Sequence, residues 1–314
     1  MTSNNSHFVA PMDETPLLAT DALKNEDAPL SLWVDAWRKL RRRPLFIMSA
    51  LLIMALTVIA LFPSLLSTVA PNDGCELANS EGGPSAGHPF GFTFQGCDIY
   101  SRVVHGTQAS LSVGVLSVIC VLIVGVTFGA LAGFYGGWLD TVLARLGDIF
   151  FALPLILGAL VITQLPLFRT NKSVWTVVLV ISLLAWPQMA RITRGAVVEV
   201  RNADFVTAAR ALGLSRFGTL VKHVLPNALA PVIVLATLEL GVFIVAEATL
   251  SFLGIGLPEG VMSWGHDIAA AQSSIRTTPE IMLYPAAALS ITVLSFIMLG
   301  DAVRDALDPK SRQR

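Results

Sequence analysis

Residues 203–228 read ADFVTAARALGLSRFGTLVKHVLPNA, and they separate two apolar runs that are each long enough to cross a bilayer. Asp204, Arg210, Arg216 and Lys222 make the stretch too charged to cross by itself. Its periodicity is nevertheless that of folded helices. Phe205, Ala208, Ala209 and Leu212 recur at i, i+3, i+4 and i+7, one face of an α-helix, with Asp204, Thr207 and Arg210 on the other. Asn202 is expected to cap this helix with Asp204 in its first turn, and Gly213 to supply the left-handed residue that closes it. Ser215 is expected to cap a second short helix in which Phe217, Leu220, Val221 and Val224 repeat the spacing, and Pro226 to end it at Leu225. Two amphipathic helices therefore meet at a Gly-Leu-Ser turn. A helix lying in the headgroup layer would fit this pattern too. Small residues at Ala208 and Ala209 favour close insertion into a groove on another protein, since a membrane-lying helix would carry Leu, Phe or Trp there.

Composition sets the surroundings of this loop. The chain is 54% hydrophobic and 14% charged, with a mean hydropathy of +0.68, too apolar for an ordinary soluble domain. A crossing helix needs ~20 mainly apolar residues. Six stretches qualify, at about 45–68, 108–133, 149–168, 174–190, 228–250 and 281–300. The expected fold is an all-α polytopic bundle. Residues 1–32 form a polar, acidic tail with no signal-peptide pattern, expected to be disordered. A basic segment and first span (33–69), an outer loop (70–107), a core (108–302) and a short tail (303–314) follow.

Basic residues near a membrane concentrate on the cytoplasmic side. With the N-terminus inside, 17 of the 21 Lys and Arg residues face inward, and only Arg102, Arg169, Lys172 and Arg276 fall outside. Both termini and the 203–228 loop are then cytoplasmic. The net charge of -1 averages two unlike faces, and nothing points to nucleic acid. Cys75 and Cys97 share the outer loop, where a disulfide can persist, and are expected to be bridged. Two free thiols, or a zinc site completed by His88, are the competing states, the latter without a CxxC or HxxxH unit. Cys120, inside an apolar run, is expected to be a packing residue.

The run AARALG, with HVLP ending at Pro226, resembles the EAA loop of ATP-binding-cassette importer permeases. HPFGFTFQGCDIYSRVVHGTQASLSVG (88–114), GFYGGWLDTVLARLGDIFFALP (133–154), EATLSFLGIGLP (247–258), SWG (263–265), DALDP (305–309) and WRKLRRRPL (37–45) are similar to the dipeptide, oligopeptide and nickel branch of that family. The resemblance covers nearly everything from Trp33 onward. It implies the type I importer permease fold, with a coupling helix inside residues 199–226 that docks in a cleft of an ATPase subunit. Phe205, Thr207, Ala208, Ala209, Arg210, Leu212 and Gly213 are the coupling residues so implied. The implied partners are a second permease, two ATP-binding subunits and an extracytoplasmic substrate-binding protein, in the inner membrane of a prokaryote. Peptides are the implied cargo, with nickel or another small solute as the alternative. Thr207 stands where the family has the Glu that names the loop, so docking is expected to rest on shape and on Arg210. Gly96-Cys97-Asp98 stands for a family Gly-Arg-Asp.

No GxxxxGK[ST] loop occurs, so the chain has no phosphate cradle of its own, and no HExxH helix is present. No cofactor is expected here; ATP and magnesium belong to the implied partners. A stand-alone secondary transporter would leave an internal repeat or midplane coupling carboxylates in related halves, and no such repeat is seen. Glu239 and Glu247 lie eight apart on the fifth run. Glu239, the deeper, is the candidate for the translocation path, and Glu247 is expected to be structural. Pro154 and Pro187 are expected to kink the third and fourth runs. In the 251–280 loop, DIAAAQSSI is expected to form a helix on the outer surface, and His266 and Asp267 to lie in a solvated turn.

Overall fold

A computed structural model describes residues 32–307; the expected tail 1–32 and the last residues, 308–314, fall almost wholly outside that range. Twelve α-helices follow one another there: α1 Leu32–Leu40, α2 Pro44–Leu61, α3 Ile99–Tyr135, α4 Gly137–Phe151, α5 Leu155–Thr163, α6 Pro166–Thr170, α7 Val174–Val200, α8 Asp204–Ala211, α9 Arg216–Thr219, α10 Leu225–Phe252, α11 Trp264–Ala270 and α12 Glu280–Leu307. Among the described residues extended pairing is limited to two isolated bridges, Ser85 with His88 and Phe92 with Asp98. Among the described residues five helices are long and apolar enough to span a membrane.

A sixth span exists only if α4 and α5 count as one, and they are bent by 86° at their junction. The expected continuous run 149–168 is therefore broken, not kinked. Pro154 is the N-cap of α5, where its missing N–H costs nothing, and its carbonyl accepts from Gly158 N at 2.8 Å to start the new helix. Pro187, by contrast, sits inside an uninterrupted α7. α12 runs on to Leu307, into the segment 303–314 expected as a tail.

α3 and α7 form the centre, and glycine decides how closely they approach. A Cβ at Gly125, Gly129 or Gly133 would lie 2.6 Å from Met189 Cβ, 2.4 Å from Ala190 O and 2.8 Å from Arg194 O, respectively. One glycine per turn thus lets the α7 backbone lie against α3, the small-residue contact that substitutes for hydrophobic drive inside a bilayer. Val113, Val121, Val178, Ile181 and Met189 are fully buried along this seam, and Phe243 and Leu250 bring α10 onto it. α2 is a peripheral helix that leans on α12 and α3 and leaves most of its surface outside the chain.

At the end opposite α8, residues 62–98 form a loop tied by a Cys75–Cys97 disulfide. Asp98 caps α3 by accepting from Ser101 N at 3.1 Å. α11 does not lie on the surface. Trp264 is fully buried and donates through Nε1 to Val103 O at 3.0 Å, and a Cβ at Gly265 would meet Ala248 O at 2.3 Å, so α11 is wedged between α3 and α10. The expected 267–275 helix begins earlier, at Trp264, and ends as a 3-10 turn over Ala271–Ser274.

Candidate functional site

α8 sits at the break between α7 and the α9–α10 segment. Its N-cap is Ala203, without a side-chain cap, so the expected Asn202 cap is not formed. Its other end is a Schellman closure: Gly213 N donates to Arg210 O at 3.0 Å and Leu214 N to Ala209 O at 3.3 Å, with Gly213 at φ +90°. A non-glycine residue there would be strained even though a Cβ would meet nothing within 4 Å. Ser215 caps α9 by accepting from Gly218 N at 3.1 Å.

The second short helix does not stop at Leu225. α9 passes through a π turn, Leu220–Val224, straight into α10, and Arg216–Phe252 reads as one 37-residue unit. Pro226 falls in the first turn of α10, where a missing N–H is tolerated. The expected hairpin of two short helices is therefore one short helix joined by a glycine closure to the foot of the fifth span.

Of the apolar face expected to meet a partner, Phe205, Ala208 and Leu212 stay turned outward and only Ala209 turns toward the bundle. Val206 is fully buried and Ala209 is 7% exposed, whereas Phe205 is 46% and Leu212 84% exposed, and Ala208 is exposed as well. Val206 enters a cluster with Ala130 and Phe134 of α3, Ala196 and Val197 of α7, and Leu220, Val224 and Ala228 at the foot of α10. Ala209 as a contact residue for a partner is thus corrected: it faces this chain's own core. Thr207 is exposed beside Phe205 and Ala208. Arg210 is exposed but lies over the Phe134 ring at 5.0 Å. On the next turn Phe217 and Val221 stay exposed, while Leu220 and Val224 are buried. Phe205, Ala208, Leu212, Phe217 and Val221 are therefore apolar side chains left outward at this end.

Two further polar links brace the site. Arg201 Nη1 donates to Gly133 O at 2.6 Å, and Arg194 Nη2 donates to Asp140 Oδ2 at 2.7 Å, tying α7 to the α3–α4 corner. Sequence alone did not single these out.

Glu239 is 4% exposed in the middle of α10, and its Oε2 has no hydrogen-bond partner. Glu247 is fully buried; its Oε1 accepts from Ser251 Oγ at 2.8 Å, with Ser110 and Ser263 beside it. At the disulfide end Asp267 is no solvated turn residue. Arg102 Nε donates to its Oδ1 at 2.8 Å, Arg102 Nη1 donates to Asn72 Oδ1 at 2.9 Å, and both charged side chains are nearly buried. Burial pushes the Asp267 carboxyl above its ordinary range, and the neighbouring Arg102 opposes that shift. The pair spans 165 residues of sequence, so no local pattern around either residue announces it. Among the described residues no cluster of His, Cys, Asp and Glu could hold a metal.

Residues 125–313 match the model for the binding-protein-dependent transport system inner membrane component, and residues 31–79 match the N-terminal TM domain of oligopeptide transport permease C. The chain is 36% identical to the dipeptide transport system permease protein DppC of Alkalihalophilus pseudofirmus, over 90% of this chain and 91% of that one. It is 34% identical to the oligopeptide transport system permease protein OppC of Bacillus subtilis, with 94% and 95% covered. It is 31% identical to the glutathione transport system permease protein GsiD of Pectobacterium atrosepticum, with 94% and 96% covered. A chain of the MetNI methionine ABC transporter in inward-facing conformations superposes with a TM-score of 0.55 at 21% identity, covering 66% of this chain and 96% of that one, a likeness of fold. A match over more than half the chain means that this chain belongs to the family of binding-protein-dependent transport system inner membrane components.

Proposed function

We infer that the chain is the membrane permease subunit of an ATP-driven importer of di- or oligopeptides, with α8 as the element that receives the motion of an ATPase. The observation that carries this is mechanical. α8 is anchored inward by Val206 and Ala209, presents Phe205, Ala208 and Leu212 outward, and joins through Gly213 to a continuous helix that runs from Arg216 into the fifth span. A push on the exposed face is thereby delivered to a transmembrane helix with little slack. Thr207 and Arg210 border that face.

The chain itself hydrolyses nothing: its sequence has no phosphate-binding loop, and ATP with magnesium is bound by two partner subunits. A second, similar permease completes the path, and an extracytoplasmic binding protein delivers cargo to the disulfide side. The relatives' names, dipeptide, oligopeptide and glutathione permeases, favour peptides over nickel as cargo. Both termini and α8 lie on the cytoplasmic side, in keeping with the distribution of basic residues. Glu239 is assigned to the translocation path, because an unpaired carboxyl is costly inside a bilayer unless function retains it.

Co-purification from native membranes tests this. An ATPase subunit should come down with the chain, and a cysteine placed at Phe205 or Ala208 should cross-link to it. Recovery of the chain without any ATPase, together with cross-links only to lipid, would overturn the assignment.

A further inference from the structure

α1 has two unlike faces, and only one is used by the bundle. Ala36 and Leu40 are buried against Ala302 and Ala306 of α12, with Phe46 beside them. Trp37, Arg38 and Arg41, at i, i+1 and i+4, and the neighbouring Arg42 all project away from that contact and are exposed, Trp37 by 58%. Arg43 is engaged by Asp305 at 2.6 Å, but Arg38, Arg41 and Arg42 have no ion pair among the described residues. Trp37 is held edge-on against Phe46, the third residue of α2, with ring centroids 6.1 Å apart. α2 begins at Pro44, directly after this basic run, and is one of the spans. The tryptophan and three guanidinium groups therefore stand beside the start of a span, the level where a bilayer's headgroups begin.

We propose that this outward face of α1, together with the turn that follows it, binds anionic phospholipid headgroups of the adjoining leaflet. The occupant follows from chemistry. An amphipathic indole is stabilised at the boundary between acyl chains and headgroups, and clustered guanidinium groups beside a span attract phosphate oxygens, with guanidinium–phosphate geometry favouring bidentate contacts. The contact clamps the N-terminal helix, and with it the foot of α12, to the membrane surface. It is independent of what the transporter carries and of what docks on α8.

The test is quenching of Trp37 by brominated lipids in nanodiscs holding the assembled transporter, with the Trp37 signal taken as the difference between the wild type and Trp37→Phe. At equal mole fraction, dibrominated phosphatidylglycerol should quench this signal about five-fold more effectively than dibrominated phosphatidylcholine, the preference expected from even one basic side chain near the surface. That preference should vanish in the Arg38→Gln, Arg41→Gln, Arg42→Gln triple variant, persist when the three are replaced by Lys, and shrink in high salt. Equal quenching by both lipids overturns the proposal. So does a Trp37 that neither lipid reaches. If the preference emerged only after Asp13, Glu14, Asp21, Glu26 and Asp27 were neutralised, the acidic segment of this chain would be the occupant and the lipid assignment would fall.

Discussion

Leucine at Ala209 and leucine at Ala208 are expected to fail in different ways, and the difference measures which face of α8 does what. Ala209 is 7% exposed, on the side that carries fully buried Val206 into the cluster with Phe134, Val197 and Leu220. Adding three carbons there overpacks a filled site and costs about 1–3 kcal/mol. At 2 kcal/mol the population with α8 detached from the bundle rises roughly thirty-fold. Hydrogen exchange of amides 206–214 in the isolated, micelle-bound chain should accelerate by that order. Ala208 is exposed, and alanine and leucine have nearly equal helix propensity, so its substitution should leave that exchange unchanged within about 0.5 kcal/mol. In the assembled transporter Ala208→Leu should instead lower peptide uptake and substrate-stimulated ATPase activity, because its bulk lies on the face proposed to dock the ATPase. Unchanged exchange with Ala209→Leu, together with faster exchange with Ala208→Leu, would mean that α8 is rolled the other way. Normal uptake with Ala208→Leu would remove the docking role of that face.

Gly213→Val forces a β-branched residue to φ +90°, at a backbone cost of about 1–2 kcal/mol or more, and should abolish uptake while leaving membrane insertion intact. Arg102→Met leaves Asp267 buried without its partner and should destabilise the outer end by about 3–5 kcal/mol. Because burial already holds the Asp267 carboxyl above its unfolded value, its contribution is fully present at low pH and is lost as pH rises through the folded value; the variant should steepen this loss in thermal-shift measurements, and adding Asp267→Asn should flatten it. Glu247→Gln should chiefly lower abundance, since it disturbs a buried hydroxyl-bonded carboxyl, whereas Glu239→Gln should change uptake at equal abundance on a membrane blot. Peptide mapping without reductant should recover Cys75 and Cys97 in one linked pair, and two alkylatable thiols in the intact protein would exclude the bridge.

Much of this protein is written in features that act locally along the chain. A span is specified by ~20 apolar residues in a row, which is why five of the six expected runs are single helices. Gly213 closes α8 and Ser215 caps α9 because a positive φ and an N-terminal acceptor are needs of one or two residues, filled by one side chain or its absence. Which face of α8 turns inward was not legible in that way. Phe205, Ala208 and Leu212 satisfy helical spacing, but so do Val206 and Ala209, and the choice fell to the shape of a groove assembled from α3, α7 and the foot of α10. Pro226 signals a stop in one dimension, yet a π turn just before it places the proline where a helix tolerates it. The wedge of Gly265 against Ala248 and the Arg102–Asp267 pair likewise depend on residues of other elements. Periodicity and turn chemistry fixed the elements because each depends on adjacent residues, whereas facing and pairing were decided by packing, which exists only once the helices have met.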